Sequence, residues 1–179
     1  MYQEAERNES GNIVLDQKWE RLVRSFAVEP GSANQNYLQR DGATAIVDLM
    51  CEYQEGRASE DTELIARVLG RLSDVQVRDF ALGAHSDENV ESFWQMWSQL
   101  LRLAPAGFIA PVACIYSSLA YERGEKTTAM EALDQALDDD PTYVLAPLLR
   151  RVFRAGWPPA TFAAMRRDLH PKVCKVIFG

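Results

Sequence analysis

Two histidines are the side chains in this sequence best suited to acid–base or metal chemistry. His85 stands in "HSDE", next to Ser86 and Asp87, and His170 lies near the end of the chain. A zinc site or a catalytic histidine needs partner residues at ligand spacing. We interpret Ser86 and Asp87 instead as caps of the following helix, and His170 as a residue at a helix end, where a cation is favoured. The sequence therefore predicts no catalytic residue and no metal site.

Three consecutive carboxylates, Asp138 to Asp140 in "DDDP", also suggest a ligand. They lack the D-x-D-x-D-G spacing of a calcium loop, and on a helix they point in different directions. We interpret them as a solvated surface run. The alternative is an acidic patch that meets basic residues of this chain or of a second copy. The sequence has no Gly-rich phosphate loop, G-x-S-x-G or H-E-x-x-H motif, and we predict no cofactor.

A basic segment that contains one tryptophan is the best candidate for a binding surface. Residues 150–179 hold seven Lys or Arg and one acid, although the whole chain has a net charge of −7. Trp157 lies beside these basic residues in "AGWPP", a predicted loop. Tryptophan and arginine are the residue types most enriched at binding hot spots. We predict a surface for a protein partner or for self-association, made of Arg150, Arg151, Arg154, Trp157, Arg166 and Arg167.

Apolar residues recur at helical spacing along the chain, which predicts an all-α fold. We expect an array or orthogonal bundle of about 8–9 helices, arranged as one helical domain over residues 15–179 behind a flexible lead-in over residues 1–14. Ser73 is the predicted N-cap of the fourth helix. The only strand candidate is the tail "VCKVIF", residues 173–178. The pair Arg78–Asp79 is either buried or on the surface, and the sequence leaves this open.

One predicted helical hairpin, over about residues 111–140, has a recognisable pattern of small residues and helix-ending residues. Gly124 ends its first helix, since glycine takes the left-handed conformation without a Cβ clash. Alanines on the second helix let the two helices approach closely, and a proline blocks continuation. The positions Gly124, Ala129, Leu133, Ala136 and Pro141 resemble the tetratricopeptide repeat. Because a peptide-binding superhelix needs at least three stacked units, we favour a helix-packing motif over a peptide groove.

Tryptophans and cysteines fit an ordinary soluble protein. Trp19, Trp94 and Trp97 fall on apolar helix faces and are predicted core residues. Three dispersed cysteines without a C-x-x-C pair, Cys51, Cys114 and Cys174, indicate a reducing compartment. The longest apolar run, "GFIAPVACIYSSLAY", is shorter than the roughly 18–20 residues of a membrane span. We therefore expect a cytoplasmic protein that does not enter a membrane.

Four sequence segments occur in order between Asp74 and Pro159: "DVQVRDFAL", "FWQMWSQLLRLAP", "YERGEKTTAMEALDQALDDDPTYVLAPLL" and "RAGWPP". In this order and spacing, the second half of the chain resembles the actinobacterial family of domain of unknown function 4192. Members of that family are usually about twice as long and have a further N-terminal portion. The resemblance implies that this chain is a helical C-terminal half from a bacterial cytoplasm. It implies no catalytic residue.

Three functions are compatible with these observations. The preferred one is a non-catalytic protein–protein interaction module, because basic residues are concentrated at the C-terminus and no catalytic constellation is recognised. One alternative is the helical accessory half of a larger enzyme whose active site lies in an N-terminal portion. Another is a nucleic-acid accessory protein that uses the basic C-terminal segment. The acidity of the whole chain opposes binding to phosphates, so we expect no nucleic-acid partner. The sequence favours a non-enzyme without excluding an enzyme.

Overall fold

The computed structural model describes residues 17–179, which form nine α-helices and contain no strand. The prediction of an all-α fold with about 8–9 helices is confirmed for this part of the chain. The predicted lead-in over residues 1–14 lies outside the described residues. The helices are α1 (Gln17–Ser25), α2 (Gln35–Gln54), α3 (Thr62–Arg71), α4 (Val75–Gly83), α5 (Val90–Leu103), α6 (Ile109–Glu122), α7 (Lys126–Asp139), α8 (Leu145–Arg154) and α9 (Pro159–Phe178).

An aspartate, rather than the predicted Ser73, caps the fourth helix. The carboxylate of Asp74 accepts hydrogen bonds from the backbone N–H groups of Gln76, at 2.8 Å, and Val77, at 3.3 Å. The Ser73 hydroxyl oxygen instead accepts the N–H of Val28 at 2.8 Å. A carboxylate at a helix start is favoured by the exposed N–H groups and their partial positive charge. The prediction for Ser73 was therefore wrong by one residue.

Two hydrophobic clusters form the interior of the described residues. The first lies mainly among α1 to α5 and includes the fully buried Phe93 and Trp97. The second lies among α6 to α9. The clusters are joined, because Trp94, Leu101 and Ile109 pack against both. Of the three tryptophans predicted in the core, Trp97 is fully buried, whereas Trp19 and Trp94 are partly buried at its edge.

Helices α6 and α7 make the most extensive contact between any two of the described helices. Gly124 joins them with a φ of 81°, in the left-handed region. Ala129, Leu133 and Ala136 on α7 are all fully inaccessible to solvent. The Ser117 hydroxyl of α6 donates to the carbonyl of Ala129 at 2.8 Å, which requires a close approach of the two backbones. The packing thus needs small residues at positions 129 and 136; the likeness to a tetratricopeptide repeat stays a prediction.

The C-terminal tail is helical, so residues 173–178, the only strand candidate in the sequence, do not form a strand. Helix α9 continues through Pro171, although proline removes a backbone N–H and crowds the preceding turn. Contacts with other helices hold its end in place. The Arg40 guanidinium donates to the Ile177 carbonyl at 2.9 Å, and Phe178 meets Phe80 edge to face at 6.1 Å. Tertiary contacts therefore outweigh the local preference.

Candidate functional site

A groove of about 360 Å³ lies between the last two helices. Helix α8 packs mainly on α7 and α6, whereas α9 packs mainly on α4 and α6. The two helices meet near the loop that joins them, where the rings of Phe153 and Phe162 are 5.5 Å apart. Farther from the loop they leave a space whose floor is formed by α4 and α6. We call this space the α8–α9 groove.

The α8–α9 groove has an apolar wall and a few polar groups. Its apolar lining consists of Leu82, Leu145, Leu149, Phe162, Met165, Leu169 and Val173. Its polar lining consists of Arg78, Asp79, Ser118, Arg166, His170 and Lys172. A concave, mostly apolar pocket with a small number of polar groups is typical of small-molecule sites, which usually measure roughly 300–1,000 Å³.

The structure answers the open question about Arg78 and Asp79. The Arg78 guanidinium donates to Asp79 Oδ1 through Nε at 2.9 Å and Nη2 at 2.6 Å. Their side chains are 14% and 34% exposed, so the pair is mostly buried at the groove floor. The guanidinium also lies 5.8 Å from the centre of the Tyr143 ring. Burial raises the pKa of Tyr143 to about 12, against the lowering effect of the positive charge of Arg78.

A buried ionic cluster stands behind the groove. Arg166 donates to Glu122 through Nε at 2.6 Å and Nη2 at 3.3 Å, and its Nη1 donates to the carbonyls of Gly83 and His85. Arg166 was predicted on an interaction surface, but only 7% of it is exposed. It must be removed from that surface, because its guanidinium is committed to a carboxylate and to two backbone carbonyls inside the protein.

Glu122 and His85 complete this cluster. The Nε2 atom of His85 lies 2.9 Å from the Glu122 carboxylate. Burial alone would raise the pKa of Glu122, but hydrogen bonds and charges from His85 and Arg166 outweigh it and hold the pKa below 4.5. Glu122 is therefore ionised at neutral pH. A charged carboxylate bound to a guanidinium on one side and an imidazole on the other ties α6 to α9 and to the segment after α4.

The predicted caps beside His85 were wrong. Helix α5 begins at Val90, after Asn89, so neither Ser86 nor Asp87 stands at its start. The Asn89 side-chain oxygen accepts the N–H of Ser86 at 2.7 Å and closes the turn before the helix. His85 is 5% exposed. It is a buried partner of the Glu122 carboxylate. The local sequence "HSDE" does not reveal this contact, because the two residues are far apart in the chain.

His170 lies in the middle of α9 rather than at a helix end, which corrects the sequence-based interpretation. Its Nε2 is 3.4 Å from the Sγ of Cys174, and its ring centre is 5.2 Å from that of Phe80. Burial, followed by electrostatic interactions with Arg166 and His85, lowers the pKa of His170 below 6.5. The imidazole is therefore neutral at physiological pH. Within residues 17–179, no group of three His, Cys, Asp or Glu residues is arranged to hold a metal ion.

Among the residues of the predicted surface, Arg166 is buried and Arg150 is partly buried, with 22% of its side chain exposed. We keep Arg150 with the exposed residues and call this set the C-terminal basic surface: Arg150, Arg151, Arg154, Trp157 and Arg167. Arg151 and Arg154 are exposed on α8. Trp157 is 40% exposed in the loop before α9, and the Tyr121 hydroxyl donates to its carbonyl. Arg150 is held by the carboxylate of Asp134. Arg167 is about half exposed, with a loose ion pair to Asp87 at 3.5 Å.

The carboxylate run at the end of α7 is not simply a solvated surface, which corrects that interpretation for two of its members. Asp139 accepts the N–H groups of Gly107 at 2.7 Å and of Ile109 and Ala110 at 3.0 Å, and so caps the start of α6. Asp140 accepts the N–H and hydroxyl of Thr142. The carboxylates meet exposed N–H groups, rather than a metal or the arginines of α8.

Sequence reasoning missed Glu122, which links the ionic cluster. A signal was present, because Glu122 is the only charged residue of α6 and stands in its last turn, where a negative charge is unfavourable for the helix dipole. An acid in such a place indicates a partner elsewhere in the chain. Lys172 was also missed as a groove residue, since nothing in the sequence shows that α9 faces α8.

Comparison with known proteins identifies one family. The model described as Domain of unknown function (DUF4192) matches residues 1–160. The match includes the first 70 residues, which contain none of the sequence segments on which the resemblance to this family rests. It ends at the second residue of α9, so the α9 wall of the groove lies outside it. No curated protein and no solved structure matches the chain.

Proposed function

Because this chain belongs to the DUF4192 family, whose description assigns no activity, we propose its function from its own contacts. It is a non-catalytic helical module that binds an acidic protein through the C-terminal basic surface. The partner is another protein or a second copy of the chain, since residues 1–149 carry a net charge of −13. Three free cysteines support a reducing, cytoplasmic location. The helices of residues 17–179 are each too short or too polar to cross a bilayer.

The observation that carries this proposal is that positive charge and exposed apolar side chains are concentrated in the same C-terminal stretch of the chain. Eight large hydrophobic side chains are exposed within residues 17–179, and six of them lie between residues 144 and 178. They are Val144, Leu148, Trp157, Leu169, Val176 and Phe178. The same segment carries most of the excess positive charge, with a net charge of +6 over residues 150–179. Exposed apolar side chains beside arginine are the composition of binding surfaces.

Arg151, Arg154 and Trp157 form the part of this surface most available to a partner. Neither arginine makes an ion pair with any residue from 17 to 179, in contrast to Arg150 and Arg167. The backbone of Trp157 is fixed by its hydrogen bond from Tyr121 and by the two prolines that follow. A fixed aromatic residue loses little conformational entropy when a partner covers it.

The proposal is tested by capture of the tagged protein and its partners from the cells that make it. The variant Arg151→Glu/Arg154→Glu/Trp157→Ala is expected to lose the partner that the natural chain retains. Arg150 is left unchanged, because its contact with Asp134 joins α8 to α7. Light scattering of the purified proteins shows whether the partner is a second copy.

A matched control is Arg21→Glu/Arg57→Glu, which reverses two exposed arginines on the opposite half of the chain. This control should keep the partner. Equal capture by both variants would contradict the proposal. A gel shift with an oligonucleotide that disappears as salt rises would favour the nucleic-acid alternative. An enzyme activity found only with an added N-terminal portion would favour the enzyme-half alternative.

A further inference from the structure

The α8–α9 groove has the size of a small-molecule site. Its volume is about 360 Å³. At the loop end, Phe153 stacks on Tyr121 at 3.9 Å, and Phe162 meets both rings edge to face. Phe162 lines the groove at this end, whereas Leu145 and Leu169 line it farther from the loop. A space of this size accepts roughly ten to thirteen heavy atoms when each occupies about the volume of one water molecule, ~30 Å³.

The groove carries an excess of one positive charge. Arg78 is paired with Asp79, and Arg166 is paired with Glu122. These two pairs are neutral overall. Lys172 also lines the groove, and its ammonium group makes no ion pair or hydrogen bond with residues 17–179. One unpaired cation at the rim of an apolar space is complementary to a ligand with an apolar body and one negative charge.

We propose that the α8–α9 groove binds a small amphipathic carboxylate. Its apolar body lies among Leu145, Leu149, Met165 and Leu169, and its carboxylate meets the ammonium group of Lys172. A singly charged carboxylate fits better than a phosphate, because the two arginines at the groove already satisfy carboxylates of the protein. This function goes beyond the proposed partner binding, since Arg151, Arg154 and Trp157 do not line the groove.

A second depression in the structure does not share these properties. It measures about 400 Å³ and lies on α5, α6 and α7, where it is lined by Ser98, Arg102, Tyr116, Thr128, Glu131 and Gln135, among others. Polar groups and charges of both signs line it, and it has no extended apolar wall. It therefore favours neither sign of ligand charge and offers little apolar area to bury.

Octanoate is a suitable probe, and the methyl groups of leucine, valine and methionine report its position by NMR. Titration to millimolar concentration should shift the methyl signals of Leu145, Leu149, Met165 and Leu169. The signals of Leu49 and Leu64, in the first hydrophobic cluster, should stay unchanged. Lengthening the acid from butanoate to octanoate should tighten binding by about fourfold per added methylene, as expected for burial of a CH₂ group. 1-Octanol, which has the same chain and no charge, should bind more weakly.

The variant Lys172→Glu should weaken octanoate binding by at least tenfold and leave 1-octanol binding unchanged. Lys175→Glu is the matched control, because it makes the same change at another exposed position of α9 that does not line the groove. It should bind octanoate nearly as well as the natural chain. The Arg151→Glu/Arg154→Glu/Trp157→Ala variant should also bind octanoate, so that failure of the partner proposal and failure of this one are distinguished.

Three results would overturn the inference. One is the absence of methyl shifts at millimolar octanoate. Another is equal binding of octanoate and 1-octanol together with no effect of Lys172→Glu, which would show a non-specific apolar surface. The third is an acidic amphipathic peptide that shifts the groove methyls when octanoate does not, which would make the groove part of the protein-binding surface.

Discussion

The imidazole ring of His170 lies directly against the Cα of Gly83. A Cβ atom at position 83 would stand 2.2 Å from Nδ1 and 2.6 Å from Cγ of that ring. Both residues line the α8–α9 groove, one on its floor and one on its α9 wall. This contact between α4 and α9 therefore sets how far the α9 wall stands from the rest of the protein.

The substitution Gly83→Ala should destabilise the protein by about 1–3 kcal/mol, because an added methyl group has no space and forces a packed side chain to move. Urea unfolding measures the loss. In a His170→Ala background the same substitution should cost less, since the ring that it meets is gone. A coupling free energy of roughly 0.5–3 kcal/mol between the two sites is expected. Additive effects would show that the two side chains do not constrain each other.

Removal of the Arg166 guanidinium should be far more costly than removal of its neighbour. Arg166→Met leaves the Glu122 carboxylate buried and without its guanidinium, and loss of one partner of a buried ion pair typically costs about 3–5 kcal/mol. Arg167→Met removes the same chemical group from an exposed site with a long ion pair. It should change the free energy of unfolding by no more than about 0.5 kcal/mol. Similar unfolding midpoints for the two variants would contradict the buried cluster.

The stability of the protein should fall as the pH decreases below 6.5, partly because of His170. Its pKa in the folded protein is lower than 6.5, whereas the unfolded chain titrates near that value. Between these two values the unfolded state binds more protons, so acid favours unfolding. Burial is the main cause of the lower pKa of His170, followed by Arg166 and His85, and the thiol of Cys174 lies 3.4 Å from its Nε2. Urea unfolding from pH 7.5 downward measures the slope.

His170→Gln should flatten this slope just below pH 6.5, because it removes the titrating group and keeps a polar side chain. The carboxylate of Glu122, whose folded pKa lies below 4.5, contributes its own loss of stability only at lower pH. The two effects therefore separate along the pH axis. An unchanged slope in the variant would assign the pH dependence to other groups.

Local sequence patterns predicted the helices, because a helix can be recognised from the spacing of its apolar residues and from the residues that begin and end it. Gly124 and the alanines of α7 could be recognised for this reason, since a left-handed turn and a close helix contact each require a small residue. The tail shows the limit of the same reasoning. Val173 to Phe178 is rich in β-branched residues and follows a proline, yet contacts with Arg40 and Phe80 make it helical.

The ionic cluster was out of reach of local patterns. Glu122 lies 37 residues from His85 and 44 residues from Arg166 in the chain. No spacing rule relates such positions, because they meet only after α4, α6 and α9 have packed together. As a result, both Arg166 and Arg167 were predicted on the surface, although Arg166 is buried and only Arg167 is exposed.

Asp139 tests directly how α6 and α7 are held together, because it belongs to α7 but caps the N-terminal end of α6. It stands at the C-terminal end of α7, where its negative charge is unfavourable to that helix. Its carboxylate nevertheless accepts three backbone N–H groups at the start of α6. These N–H groups have no partner within α6 and carry its partial positive charge. The net effect on folding should therefore be favourable.

Asp139→Ala should accordingly destabilise the protein by about 1–2 kcal/mol, the cost of losing a helix cap. Asp138→Ala is the matched control, since the neighbouring carboxylate is exposed and makes no ion pair or hydrogen bond with residues 17–179. It should be neutral or slightly stabilising, because it removes a negative charge from the end of α7 without uncapping α6. Urea unfolding separates the two variants. If both variants lower the urea midpoint equally, the carboxylates act only through the total negative charge at the end of α7. The capping role of Asp139 is then refuted.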